Sequence, residues 1–251
     1  MNLPTDPLFY IVATFVVVLV GLAKGGFAGL GSAAMPLLVL VMDPVRAAAM
    51  LLPILIVQDV VSVWAFRKTY DLPSLKLMLP GAIFGIFLGW LFASVVPADA
   101  VRVMVGLISL VFGANRLLAT YGISYKAKRS APEWMGRFWG GVAGFTSQVA
   151  HAGGPPFQVW MLPKNFPHLV YVGTSSIFFA AMNWIKVPAY WALGQFTWDN
   201  MQLTLVFLPV AIASTLAGVY LIKRLSPERF AFAIDVLMML VGIELLRVGL
   251  T

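Results

Sequence analysis

The sequence predicts an all-α integral membrane protein of about ten membrane segments in two inverted repeats of five, with short Gly/Pro-broken helices in each repeat. Three observations carry this expectation. The 251 residues are 61% hydrophobic and only 11% charged, with a mean hydropathy of +0.91, whereas a soluble chain carries about 25% charged residues. Apolar runs of about 20 residues, the length that crosses the hydrocarbon core, recur between short loops along the whole chain. Finally, glycines and prolines interrupt two such runs, at Gly21–Pro36 and Gly140–Pro156. Breaking a helix frees backbone polar groups that hydrocarbon cannot satisfy, so both stretches must be buried in protein or line a cavity.

In chain order, the first span is Leu8 to Lys24. The preceding residues hold Asp6 and no Lys or Arg, so the run lacks the basic n-region of a cleavable signal peptide and reads as a membrane segment. The break at Gly25, Gly29 and Gly31 follows, then a short run from Ala33 to Met42 that Asp43-Pro44 ends. Val45 to Phe66 is full length. Leu77 to Val96 carries Gly81, Gly85 and Gly89 at i, i+4 and i+8, the small-residue face that lets membrane helices approach closely. Val101 to Tyr121 completes the first half. The second half opens with Phe138 to Ala152, breaks at Gly153, Gly154 and Pro155, and resumes from Pro156 to Leu162. His168 to Leu193, Leu203 to Ile222 and Phe230 to Leu250 are its longer spans, and Trp139 and Trp198 sit where interfacial aromatics belong.

The halves therefore share one grammar: a Gly-interrupted pair of short runs, a Pro-bounded long segment, and two plain spans. Pro80 corresponds to Pro209, Gly89 to Gly218 and Gly113 to Gly242. This divides the chain into a first repeat at 1–121, a basic linker at 122–137 and a second repeat at 138–251. Of the 17 basic residues, Arg67, Lys68, Lys76, Arg116, Lys126, Lys128, Arg129, Arg137, Lys164, Lys223, Arg224 and Arg229 fall on one side, against Arg46, Arg102 and Arg247 on the other. Because Lys and Arg stay cytoplasmic, both termini are expected outside a plasma (inner) membrane. Five segments per half invert the second repeat relative to the first, the layout in which transporters bind substrate at the midplane between broken helices.

Several function classes are excluded. The net charge of +7 lies in short loops and forms no long basic face, which argues against nucleic acid as a partner. There is no cysteine, hence no disulfide, Cys-ligated zinc or Fe–S cluster, and two histidines argue against a multi-His metal site. No cofactor is implied, and without a Gly-x4-Gly-Lys-Ser/Thr motif neither is ATP hydrolysis by this chain.

The polar residues inside the apolar spans are the candidates for chemistry. A charged side chain there costs at least about 2.5–3.5 kcal/mol by insertion scales, so it should face protein or water. Lys24, just before the Gly break, either snorkels to the surface or faces an anionic substrate. Lys186 lies well inside its span with Asn183 at i−3 on the same face. It serves an anion or a gate, or forms a structural pair with Asp59. Asp59, beside Gln58 in the equivalent span of the first half, could neutralise Lys186 or Lys24 while substrate is absent, or carry a proton as coupling ion. Ser147, Gln148 and His151 fall on one helical face. His151 reads either as a hydrogen-bonded structural residue or as a donor to an anion beside N–H groups of the unwound backbone. Thr174 and Ser175 add hydroxyls that helix–helix hydrogen bonds explain almost as well. Asp235, Glu244 and Arg116 read as interface or loop-edge residues.

The motifs Gly21-Leu-Ala-Lys24-Gly-Gly-Phe-Ala-Gly-Leu-Gly31, Ala150-His151-Ala-Gly-Gly-Pro-Pro156, Val172-Gly-Thr174-Ser175 and Asn183-Trp-Ile-Lys186-Val-Pro188 resemble the TauE/SafE sulfite exporter family over nearly the whole chain. The first half departs from that pattern, with Ser32-Ala33-Ala34 after Gly31 and Ala47–Met50 where an Ala-Thr-Ser is common. The resemblance implies a transporter for sulfite, organosulfonates or related sulfur-containing anions, working by secondary transport in the bilayer. A passive anion channel is the alternative. An intramembrane enzyme built on Asp59 or His151 is a third reading, for which the sequence supplies no clear nucleophile or metal triad.

Overall fold

The computed structural model describes residues 4–27, 29–120, 123, 131–222 and 228–250. Half of the linker at 122–137, with Lys126, Lys128 and Arg129, and the Lys223-Arg224 loop lie outside the described residues. Among the described residues there are ten α-helices and no strand: α1 (Pro7–Lys24), α2 (Ala34–Val39), α3 (Pro44–Phe66), α4 (Leu72–Ala93), α5 (Ala98–Thr120), α6 (Glu133–Ala150), α7 (Gly154–Met161), α8 (His168–Ala192), α9 (Trp198–Leu221) and α10 (Glu228–Leu250). Five of them, α1, α3, α4, α5 and α9, are long and apolar enough to cross a membrane.

Helix starts follow their capping chemistry. Asp6, Asp43, Asp71 and Thr197 accept hydrogen bonds from first-turn N–H groups of α1, α3, α4 and α9, and proline occupies the first turn after each aspartate. Three boundaries differ from the expectation. α4, α6 and α9 each begin five residues before the expected Leu77, Phe138 and Leu203, because their first turns are polar and hydropathy alone places them in loops.

The breaks fall where the glycines lie. After α1 the chain passes Gly26 at φ +126° and Gly29 at φ +100°, backbone that side chains rarely adopt. It then makes a 3-10 turn (Leu30–Ala33) into α2, every residue of which is buried. Both the turn and α2 pack back against α1, so the segment is a returning hairpin.

Packing crosses between the halves. α1 lies on α9, α4 on α6, α3 on both α8 and α9, α4 on α8, and α5 on α10. The expected glycine face of α4 makes the closest of these contacts. A Cβ at Gly81 would stand 1.9 Å from the Arg137 carbonyl oxygen, one at Gly85 2.0 Å from that of Gly141, and one at Gly144 2.1 Å from that of Ala82. In the α1–α9 pair, a Cβ at Gly25 would meet the Gly218 backbone at 2.4 Å. Backbone cannot yield as a side chain tip can, so Gly85→Val is expected to destabilise the protein by about 1–3 kcal/mol or more. A melting temperature equal to wild type in the same detergent would contradict this account of the interface.

Candidate functional site

α1, α3, α6 and α8 converge with both helix breaks on one cavity. Its wall includes Lys24 on α1, Gly29 and Ser32 from the first break, Leu51 and Leu55 on α3, Ser147 and His151 at the end of α6, Gly154 and Pro155 from the second break, and Ser175, Ser176, Phe179 and Asn183 on α8. The space is about 920 Å³, part of it open solvent. The wall combines hydroxyl, amide, imidazole and ammonium donors with aliphatic and aromatic surface.

Lys24 supplies the charge. Its ammonium ion-pairs with Asp59 on α3 and lies 5.3 Å from the centre of the Phe179 ring. The pair is unequal in exposure, the lysine side chain 12% exposed and the carboxylate 2%, so the cation reaches the cavity and the anion stands behind it. The second Asp59 oxygen accepts a 2.6 Å hydrogen bond from the Asn183 amide of α8. Ser62, one turn beyond Asp59, donates at 2.7 Å to the Lys24 carbonyl and lies 2.6 Å from the Ser176 hydroxyl. A carboxylate this deeply buried is retained only with such partners, because its uncompensated burial costs several kcal/mol.

The second basic cluster has no carboxylate. Lys186 is 0% exposed. Its ammonium donates at 3.2 Å to the Ser147 carbonyl, at 3.1 Å to the Ser147 hydroxyl and at 2.8 Å to His151 Nδ1. His151 Nε2 lies 3.0 Å from the Ala48 carbonyl of α3. An Nδ1 that accepts and an Nε2 that donates define the neutral imidazole with its proton on Nε2. Tyr190 donates at 3.1 Å to the Gln148 carbonyl and sits 3.4 Å from His151 Nε2.

His151 also ends α6. It adopts φ +48°, ψ +23°, the left-handed cap position usually given to glycine. A non-glycine residue there costs about 1–3 kcal/mol and persists only when its surroundings fix it. The contacts to Lys186 and Ala48 do so from two helices, and the Thr146 hydroxyl, 3.0 Å from the Ala152 carbonyl, holds the following residue.

The structure thus brings Lys24, Asp59, Asn183, Ser147, His151 and Lys186 into adjoining clusters, and it departs from the sequence expectation at several residues. Lys186 does not reach the cavity in this conformation; Ser147 and His151 stand between. Gln148 is buried, and its chain would be the first contact of a Cβ at Gly89, so it packs toward α4. Gln58 donates at 3.2 Å to the Val17 carbonyl. Thr174 is engaged with the Asp71 N–H at 2.8 Å and the Val170 carbonyl at 2.7 Å, fixing the start of α4; its neighbours Ser175 and Ser176 line the cavity instead. Gly25 packs on Gly218 and Gly153 on the Ala143 carbonyl rather than in the cavity wall. The second break also presents fewer N–H donors than a broken helix usually does, because Pro155 and Pro156 occupy the first turn of α7.

Other residues emerge only in three dimensions. Ser176 and Gln158 line the cavity, and Arg116, expected at a loop edge, donates at 3.2 Å to the Gly29 carbonyl and steadies the first break. Tyr190 lies four residues beyond Lys186 and Ser176 seven before Asn183, each pair on one face of α8, a signal that helical spacing could have carried. Nothing in the spacing places Arg116 against Gly29, because that contact joins segments 87 residues apart. Among the described residues no group of three or more His, Cys, Asp or Glu side chains could hold a metal ion.

A family model described as Sulfite exporter TauE/SafE matches residues 13–245. No curated protein and no solved structure matches the chain.

Proposed function

Since the chain belongs to the TauE/SafE sulfite exporter family, we propose that this multi-pass membrane protein exports a small sulfur-containing anion by alternating access. In this reading the substrate binds between two inverted repeats. The observation that carries the proposal is the cavity shared by both helix breaks, where a lysine reaches the open space and its counter-charge is a carboxylate of the protein itself. Asp59 thereby acts as a resident anion. It neutralises Lys24 while the site is empty and yields the ammonium to substrate, whose remaining oxygens meet Ser147, His151, Ser175 and Asn183.

The packing supports the repeat. When the halves are exchanged, so that α1 stands for α6, α3 for α8, α4 for α9 and α5 for α10, the main contacts between the halves map onto one another: α1–α9 becomes α6–α4, α3–α9 becomes α8–α4, and α3–α8 and α5–α10 are unchanged. Asp59 lies fifteen residues beyond Pro44, the first residue of α3, and Asn183 fifteen beyond His168, the first of α8. If α3 enters from outside and α8 from the cytoplasm, as the loop charges imply, two residues at equal depth that hydrogen-bond to each other lie near the midplane. In this reading both termini lie outside a plasma membrane and the chain divides at the linker 122–137.

The test is a panel of sulfite, sulfate, taurine and acetate against purified wild type and Lys24→Gln, read by thermal shift and by counterflow in proteoliposomes. A ligand at one hundred times its Kd stabilises by about 2.7 kcal/mol. Wild type is expected to show such a shift with a sulfur-containing anion and to support counterflow of it, and Lys24→Gln to lose both. An equal shift in both proteins would remove Lys24 from the site, and anion flux without counterflow would make the protein a channel.

A further inference from the structure

We infer that the substrate carries one charged head and an uncharged carbon tail: the cavity fits a short alkyl or aryl sulfonate rather than a bare oxyanion. This inference rests on the carrier reading above and names the substrate class of the same site.

The wall is two-sided. Asn183 meets Asp59 beside Lys24, and one turn further along α8 Lys186 holds Ser147 and His151. The ammonium, amide, hydroxyl and imidazole that face the cavity therefore lie at one level of it. Away from that level the surface changes to carbon. The Phe179 ring lies 5.3 Å from the Lys24 ammonium, the Phe157 ring 5.4 Å from Phe179, and the Tyr171 ring 5.8 Å from Phe157, and all three rings line the cavity. Phe179 and Tyr171 are eight residues apart on α8, so the strip of rings runs about 12 Å from the cation toward the start of that helix. Leu51 and Leu55 on α3 add aliphatic surface.

Two costs select the ligand. A bare oxyanion is polar on every side, and the side turned to the rings exchanges water for carbon, which a charged oxygen tolerates poorly. A second charge at the far end of a tail fares no better. Among the described residues that line the cavity, Lys24 is the only Lys, Arg, Asp or Glu, and the further polar groups Ser32 and Gln158 are neutral. An uncharged tail meets neither cost. Its head takes the ammonium from Asp59 and the neighbouring donors, and its carbons cover Phe179 and Phe157, gaining the burial of apolar surface on both partners. Phe179 thereby becomes a specificity-determining residue, because it stands where the cationic end of the site passes into the apolar strip.

The test sets methane-, propane-, pentane- and benzenesulfonate against sulfite, taurine and ethanedisulfonate, with dissociation constants measured by calorimetry on purified wild type, Phe179→Ala and Lys24→Gln. Each added methylene should tighten wild-type binding about twofold to fourfold, so that pentanesulfonate and benzenesulfonate bind about 10–100-fold tighter than methanesulfonate. Propanesulfonate should bind tighter than sulfite, taurine or ethanedisulfonate. In Phe179→Ala the ratio of pentane- to methanesulfonate affinity should fall at least about threefold, and any loss of head-group affinity cancels in that ratio. Lys24→Gln should lose the whole series. If Phe179→Ala does not fold, the wild-type series decides alone. Sulfite, taurine or ethanedisulfonate binding as tightly as propanesulfonate overturns the tail and leaves the carrier reading intact. An unchanged ratio in Phe179→Ala, or a chain-length trend that survives in Lys24→Gln and so reflects partition of tails into detergent, overturns the aromatic strip as its site. Binding of none of these anions to wild type, with no counterflow of any of them, removes the carrier reading and the inference with it.

Discussion

Asp59→Leu is expected to be the most damaging single substitution in the protein, removing transport and lowering stability by about 3–5 kcal/mol, the cost of stripping one partner from a buried ion pair. It leaves Lys24 with its ammonium against Phe179 and without its carboxylate, and deprives Asn183 of its acceptor. The double variant Lys24→Met/Asp59→Leu is expected to recover most of the stability and none of the transport, because two apolar side chains replace the pair without leaving a charge behind. Thermal melts of Asp59→Leu, Lys24→Met, the double variant and wild type form a double-mutant cycle. Additive losses would mean that the pair is no energetic unit, and the picture of Asp59 as resident anion would fail.

Lys186→Met should behave in the opposite way. The ammonium is fully buried and hydrogen-bonded to Ser147 and His151, with no carboxylate in contact. An apolar chain of similar length relieves the burial of charge but leaves His151 Nδ1 and the Ser147 oxygens without their donor, at about 1–3 kcal/mol for an unsatisfied buried group, so the two effects oppose each other and the net change in stability is expected to be small. Transport is expected to fall at least about 100-fold, the factor that corresponds to about 3 kcal/mol of lost interaction with a charged group. Counterflow rate and melting midpoint measured on one preparation separate the two effects. A marked fall in the midpoint, or wild-type counterflow, would make Lys186 a structural residue only.

Much of the fold was legible because the bilayer imposes strong rules on composition. The spans, both breaks and the glycine face of α4 followed from run length and from the i, i+4, i+8 spacing of Gly81, Gly85 and Gly89. Helix starts were not legible from hydropathy, since polar first turns such as Ser74–Lys76 and Asp199–Asn200 belong to helices whose caps are Asp71 and Thr197. Within the site, the charged residues announced themselves by their cost in apolar surroundings, and the Lys24–Asp59 and Asp59–Asn183 contacts were within reach of that argument. The partner of Lys186 was not. The sequence offered Asp59 for it, whereas the fold gives Asp59 to Lys24 and leaves Lys186 to an imidazole and a serine. Ser147 and Ser175 lie in the cavity wall, whereas Thr174 turns toward the start of α4 and Ser176, two residues on and not singled out by the sequence, joins the wall.

The backbone contacts at Gly85–Gly141 and Gly25–Gly218 also bear on how such a molecule can move and be made. Each half of the chain clasps a helix of the other, α1 holding α9 and α4 holding α6, and surfaces that meet carbonyl against Cα have no intermediate sliding positions. The mechanical units are therefore pairs of helices far apart in sequence, and a hinge motion has to carry each pair whole. During synthesis the same interlock means that the glycine face of α4 stays bare until α6 has emerged, and that of α1 until α9 has. The first half cannot finish folding before the second is in the membrane.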